Sequence, residues 1–257
     1  MNTKYFTGII VGVLLATLLF SCKDRSVSVS KVSAKQQKID EALPDDKAID
    51  SFILPYRKHL NETLDSTLCI AAENFTSSRI GLESSLGNLM ADIALKQAQS
   101  VFEKRYNKRI DFAMLNEGGM RADILKGGVT SRTAYEVMPF ENELVAVELS
   151  KEKIQMLVQY LIDQKRAHPV SNMKLSIDKS LNTVKDLMIN EQPFQKDKTY
   201  LVLTTDYLQK NGDNMIFFKD PLALYGTDYK LRNAMIDYFK SVDTLKITLD
   251  KRIHYAE

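Results

Sequence analysis

Residues 199–205 read TYLVLTT, an uncharged run of β-branched, aromatic and aliphatic side chains. It is the strongest candidate for a buried strand, and a buried strand needs a sheet beside it and a layer over it. Shorter strand candidates surround it: TLCIAA from 67, residues 110–115, LVAVEL at 144–149, KLSID at 174–178, VKDLMIN at 184–190 and a closing LKITLDKRI at 245–253. Helical spacing alternates with these strands. Residues 85–106 place Leu86, Leu89, Met90, Ile93, Val101 and Phe102 on one stripe. Residues 151–165 do the same with Ile154, Leu157, Val158, Leu161 and Ile162, with Ser150 as N-cap. A last helix starts near 229, and a first covers 45–60, where Pro55 predicts a kink or a split. Without a strict βαβ alternation, the pattern predicts an α+β fold with a mixed sheet and packed helices.

With 44% hydrophobic and 26% charged residues among 257, the composition is that of a globular chain. A formal charge of +2 lacks the basic footprint of a nucleic-acid binder. The first 22 residues stand apart. Lys4 precedes an apolar stretch at 8–20 that is short for a membrane span, and Leu19-Phe20-Ser21-Cys22 follows. This resembles a bacterial lipobox and predicts lipidation of Cys22, with the chain anchored to the cell envelope by acyl groups. The expected organisation is a lipoprotein signal peptide at 1–22, a polar tether at 23–44 and one domain at 45–257. Cys69, among small and apolar neighbours, is expected to be a buried thiol.

His59, His168 and His254 lie far apart in polar contexts and are expected at the surface. No H-x-x-x-H pair, G-x-S-x-G elbow or phosphate-binding G-x-x-x-x-G-K-[ST] loop occurs. Ligand-binding chemistry is better represented, in three loops. The first carries Asn116, Gly118, Gly119 and Arg121. It reads either as a tight turn with glycines at positive φ or as an anion- or ring-binding loop. The second, VMPFENEL at 137–144, carries Phe140, and the third, DYLQKNGDN at 206–214, carries Tyr207 and Asp213. Two rings, an arginine, an asparagine and an aspartate form a set that suits a nucleoside or nucleotide.

NEGGMR at 116–121, GVT at 128–130, PFEN at 139–142 and the 207–214 loop resemble, in order, the C-terminal domain of the 5'-nucleotidase family. ESSLGNLMAD at 83–92 and DKRI at 250–253 are similar to two further family segments. The resemblance implies that Phe140 and Tyr207 sandwich a base, that Asp213 holds the ribose and that Arg121 contacts phosphate, with Asn116 nearby. Glu117, Asn211 and Asn214 stand where the family has glycines, and Tyr207 replaces phenylalanine. Asparagine tolerates the left-handed conformation, so the last turn is expected to survive. Arg79 is the nearest arginine to a family position just ahead of ESSLGN. No segment before 45 resembles the family's metallophosphoesterase domain. The implied role is the substrate-binding half of a split 5'-nucleotidase-type hydrolase, with no catalytic or metal-binding residues of its own. A separately encoded metallophosphoesterase subunit would carry the divalent metals. The alternative is a nucleotide- or nucleoside-binding lipoprotein without a hydrolytic role.

Overall fold

The computed structural model describes residues 29–40, 43–246 and 249–256; the expected signal peptide, with Cys22, lies outside them. The chain divides into two units, Met1–Asp50 and Ser51–Glu257. Before Lys47 the described residues of the first unit are exposed and carry no helix or strand. Helix α1 (Lys47–Leu64) is capped by Asp46, whose Oδ1 accepts from the backbone N–H groups of Ala48 (2.9 Å) and Ile49 (3.2 Å). It runs through Pro55 as one helix rather than in two parts, and it buries none of its side chains.

In the second unit a five-stranded sheet is ordered Ala223–Lys230 (β10), Glu143–Leu149 (β4), Tyr200–Thr205 (β9), Phe112–Met114 (β2) and Val170–Ser171 (β5). The TYLVLTT run is its central strand, antiparallel to β4 and parallel to β2. Both of its faces are covered, as an uncharged strand requires. Leu203, with Ala113 and Ala146, packs into a core with Leu86, Leu89, Ile93 and Phe102 of α2 (Ser85–Tyr106) and Phe239 of α6 (Leu231–Lys240). Val202, with Phe112 and Val147, packs into a second core with Leu157 and Leu161 of α4 (Lys151–Gln164). Each fully buried Leu, Ile or Phe contributes about 1.5–3 kcal/mol. A three-stranded sheet joins Thr244–Leu245 (β11), Thr67–Ala71 (β1) and Gly127–Thr130 (β3). A four-stranded one joins Ile253–Tyr255 (β12), Met173–Asp178 (β6), Thr183–Ile189 (β7) and Gln192–Pro193 (β8). With α3 (Ser131–Val137) and α5 (Asp206–Gln209), the described residues form an α+β fold of mixed sheets and six helices.

Cys69 is buried, and burial pushes its thiol up to about 11. Three expectations need correction. Strand β10 was not predicted, because Gly226 and Asp228 interrupt its pattern where a bulge shifts the register between Gly226 and Tyr229. The closing strand at 245–253 is two short strands in different sheets. Ser150 stands at the N-cap of α4, but its hydroxyl donates to Glu152 Oε2 (2.7 Å) rather than capping the helix.

Residues 250–252 do not continue a strand, and of the three only Arg252 is buried. Arg252 donates to both carboxylate oxygens of Asp92 (2.7 Å each), to Asp250 Oδ1 (2.8 Å) and to the carbonyl of Val170 (2.7 Å). Buried Glu83 accepts from Asn88 Nδ2 (2.8 Å) and from the backbone N–H of Lys251 (2.9 Å). The ESSLGNLMAD and DKRI segments therefore form one internal clamp between the start of α2 and the chain's last strand.

Candidate functional site

Strand register brings the predicted loops to one end of the central sheet. β2 and β9 are parallel, Ala113 opposite Leu203, so the loops after both leave the same edge. β4 is antiparallel to β9, Leu144 opposite Thr205, so the loop before β4 arrives there too. β5 is antiparallel to β2, Met114 opposite Val170, which adds residues 166–169. Ligands in open sheets of this kind bind beyond the carboxyl ends of the strands.

At that edge Asp213 is the hub. Its Oδ2 accepts from Asn116 Nδ2 (2.8 Å) and its Oδ1 from the Tyr207 hydroxyl (2.9 Å). Its backbone carbonyl accepts from the Tyr160 hydroxyl (3.0 Å). The Asp213 hydrogen bond holds the Tyr207 phenol above its usual pKa, and burial does the same for Tyr160, assisted by the Asp213 charge. Asn211, Asp213 and Asn214 all have positive φ (79°, 52° and 57°), so both asparagines take the turn expected of them. Gly212 is required for a different reason. A Cβ there would stand 2.4 Å from Tyr207 Cε1, so only glycine lets the ring lie flat against the loop. The cleft beside it, of about 600 Å³, is lined by Asn142, Tyr207, Lys210 and Asp213 among others.

In the first loop, Gly118 and Gly119 do not have positive φ; they form a single 3₁₀ turn, Glu117–Gly119. Buried Asn116 folds its amide back over Gly119, where a Cβ would meet Oδ1 at 3.0 Å. A Cβ at Gly118 would lie 3.8 Å from Asp213 Oδ2, so this glycine borders the hub. Arg121 reaches the Gly118 carbonyl (3.5 Å) and stands over the Phe140 ring, 5.7 Å from its centroid. Phe140 and Tyr207 are 40% and 44% exposed, so neither ring is part of a core. The structure thus joins Asn116, Tyr207 and Asp213 into one cluster and Arg121 with Phe140 into a second, adjoining at Gly118. Among the described residues no direct ring contact joins Phe140 to Tyr207.

Two supporting residues escaped the sequence reading. Buried Arg232 donates to the carbonyls of Met138 (3.4 Å) and Phe140 (3.2 Å), pairs with Glu141 and stacks over Tyr135 at 4.1 Å, which fixes the Phe140 loop. His168, expected at the surface, is 2% exposed. Its Nδ1 accepts from the Glu117 backbone N–H (3.3 Å), which leaves the ring proton on Nε2. Burial, with Arg166 nearby, pushes His168 down to about 4, so the ring is neutral. A polar sequence context hid this, because part of the burial comes from the first loop, 51 residues away, in addition to Tyr160 at the end of α4. His59 is exposed and His254 half-buried. Glu117 itself lies between Arg79 and Arg166. Among the described residues no group of three or more His, Cys, Asp or Glu side chains could hold a metal ion.

The family pattern for the 5'-nucleotidase, C-terminal domain, matches residues 65–220, more than half of the chain. The chain belongs to that family. A cell wall protein of Listeria monocytogenes is 30% identical over 151 residues, which cover 53% of this chain and 19% of that protein. A 5'-nucleotidase of Vibrio vulnificus is 24% identical over 192 residues, 71% of this chain and 32% of its own. The crystal structure of a 5'-nucleotidase precursor from Thermus thermophilus superposes with a TM-score of 0.67 at 24% identity, over 84% of this chain and 44% of that one. The 5'-nucleotidase C-terminal domain of this protein therefore spans less than half the length of these relatives.

Proposed function

We propose that this domain binds a nucleoside or nucleotide as the substrate-holding part of a 5'-nucleotidase-type hydrolase. The observation that carries the reading is the hydrogen bonding of Asp213. An ionised carboxylate offers about four acceptor positions. Tyr207 and Asn116 occupy one on each oxygen, which orients the group and leaves positions for the two hydroxyls of a ribose. Phe140 and Tyr207, 40% and 44% exposed, offer two aromatic rings for a base. Arg121 supplies a cation beside Phe140 for a phosphate. A separately encoded metallophosphoesterase subunit would supply divalent metals and the hydrolytic step.

The test is calorimetric titration of the chain with adenosine and AMP. Binding is expected, with Asp213→Asn weakening both at least tenfold; a wild-type chain that binds neither would sink the reading. The purified chain alone is expected not to hydrolyse AMP with Mn²⁺, Zn²⁺ or Mg²⁺, and metal-dependent turnover lost in a site variant would contradict that.

The cell envelope is the proposed location, in keeping with the lipobox and with a relative named a cell wall protein. Cys22→Ala should move the protein from the detergent to the aqueous phase of a Triton X-114 partition. No helix among the described residues is long and apolar enough to cross a membrane.

A further inference from the structure

Glu117 is the one charged side chain in the first loop that faces inward. Its side chain is 11% exposed, whereas those of its two partners, Arg79 and Arg166, are 46% and 43% exposed. Arg79 makes a two-point contact, Nε to Oε1 at 2.5 Å and Nη2 to Oε2 at 3.0 Å. Arg166 adds Nε to Oε2 at 2.7 Å. The two arginines come from the segment between β1 and α2 and from the end of α4, so three distant parts of the chain meet at one carboxylate. Burial alone would raise the Glu117 pKa, but the hydrogen bonds from Arg79 and Arg166 hold it below the usual glutamate range. The carboxylate is charged at neutral pH.

A planar guanidinium fork that grips a carboxylate at two points is equally matched to a phosphate. One such fork, from Arg79, and the Nε of a second guanidinium, from Arg166, converge at a loop that borders Asp213 and form an anion site, and Glu117 fills it. The carboxylate is delivered by a fixed turn. The Asn116 carbonyl accepts from Gly119 N–H (3.1 Å) and the Glu117 carbonyl from Met120 N–H (3.2 Å), while the Glu117 N–H is held by His168. A free phosphate must therefore compete with a tethered anion at high effective concentration. A phosphate that settled alongside instead would meet a like charge.

We infer that Glu117 is a built-in anion that occupies the Arg79–Arg166 site and thereby makes the cleft prefer uncharged nucleosides to their phosphorylated forms. This rests on the nucleoside-type reading of the cleft and narrows its ligand. The bland reading, in which Glu117 only neutralises two surface arginines, gives no latent anion site.

The experiment titrates wild type and Glu117→Gln with inorganic phosphate, and then with adenosine and AMP, at pH 7.5 and constant ionic strength. Glu117→Gln is expected to bind phosphate at least tenfold more tightly than wild type and to raise the ratio of AMP to adenosine affinity at least tenfold. Adding Arg166→Ala to Glu117→Gln should remove most of the phosphate gain. Glu117→Ala is read in the same way if the glutamine variant does not fold. Equal phosphate affinity in wild type and variant, or a gain that persists without Arg166, overturns the inference. The phosphate arm needs no base-binding site, so a chain that binds neither adenosine nor AMP would defeat the nucleoside reading while leaving the Glu117 result to be judged separately.

Discussion

The clamp around Arg252 and the cluster around Asp213 are both dense in side-chain hydrogen bonds, and both coincide with segments that resemble the family. They differ in where their hydrogen bonds end. In the clamp, Arg252 is answered by Asp92, Asp250 and the Val170 carbonyl, and Glu83 by Asn88 and the chain's own backbone. Arg252 directs its guanidinium to these partners, although Asp92 and Asp250 keep 40% and 35% of their side chains exposed. At the cluster, Asp213 keeps acceptor capacity, two rings lie open, and three consecutive loop positions after Asn211 include two strained backbones. The lesson is that a dense motif does not by itself mark a binding site. A closed hydrogen-bond inventory marks architecture, and an open one marks a place for a ligand.

The contrast can be broken first at the clamp. Arg252→Met should lower the unfolding free energy by about 3 kcal/mol, measured by urea denaturation, because it takes the guanidinium from Asp92, which keeps Ser171 as a donor, and from the Val170 carbonyl. The figure is kept at the low end of buried pairs because the Asp92 side chain is 40% exposed. An unchanged urea midpoint would mean the clamp is ornamental.

Acidification should act at the other region. His168 has a folded pKa of about 4 against about 6.5 unfolded. Between those values the unfolded chain binds more protons, so stability rises with pH through that window. The contribution is fully present above 6.5 and is lost as pH falls to 4, by about 2–3 kcal/mol in all. Denaturation midpoints at pH 4 to 7 should show this slope, and His168→Gln should flatten it; an equal slope in both proteins would assign it elsewhere.

Gly212→Ala should cost about 1–2 kcal/mol of stability, because its Cβ displaces the Tyr207 ring, and should weaken adenosine binding as well. A stable variant with unaltered binding would show that the ring has another resting place. The smallest effect is expected from Tyr207→Phe. It keeps the ring and removes one hydrogen bond to Asp213, about 0.5–1.5 kcal/mol, so adenosine affinity should fall less than for Tyr207→Ala. Equal losses in the two variants would mean that the hydroxyl, not the ring, does the binding.

Much of the architecture was legible. The uncharged 199–205 run became the central strand, and the stripe at 85–106 became α2, because burial on both faces or on one stripe leaves a direct trace in the residue pattern. Strand β10 left none, since its bulge places Asp228 at positive φ inside the ladder. The seven-residue α3 was missed because it is too short for periodicity, although Thr130 and Thr133 form its capping box. Candidates that rest on local loop chemistry, such as Asn116 and Asp213, were singled out by residue type, and the structure joins them by a hydrogen bond. Residues that act through tertiary neighbours could not. Nothing around Arg232 hints that it holds the Phe140 loop 92 residues away, and nothing around His168 predicts its burial.

The clamp also has a bearing on time. Glu83 accepts from the backbone of Arg252 across a separation of 169 residues, and Arg252 reaches Asp92 across 160. During synthesis the start of α2 leaves the ribosome long before its partner exists. Until residues 250–252 emerge, Glu83 lacks its backbone donors from Lys251 and Arg252, and Asp92 lacks its guanidinium. The nascent domain therefore waits, with the clamp unmade, for residues 250–252 to arrive. A nascent chain stalled before residue 250 should remain open to protease where the released one is resistant.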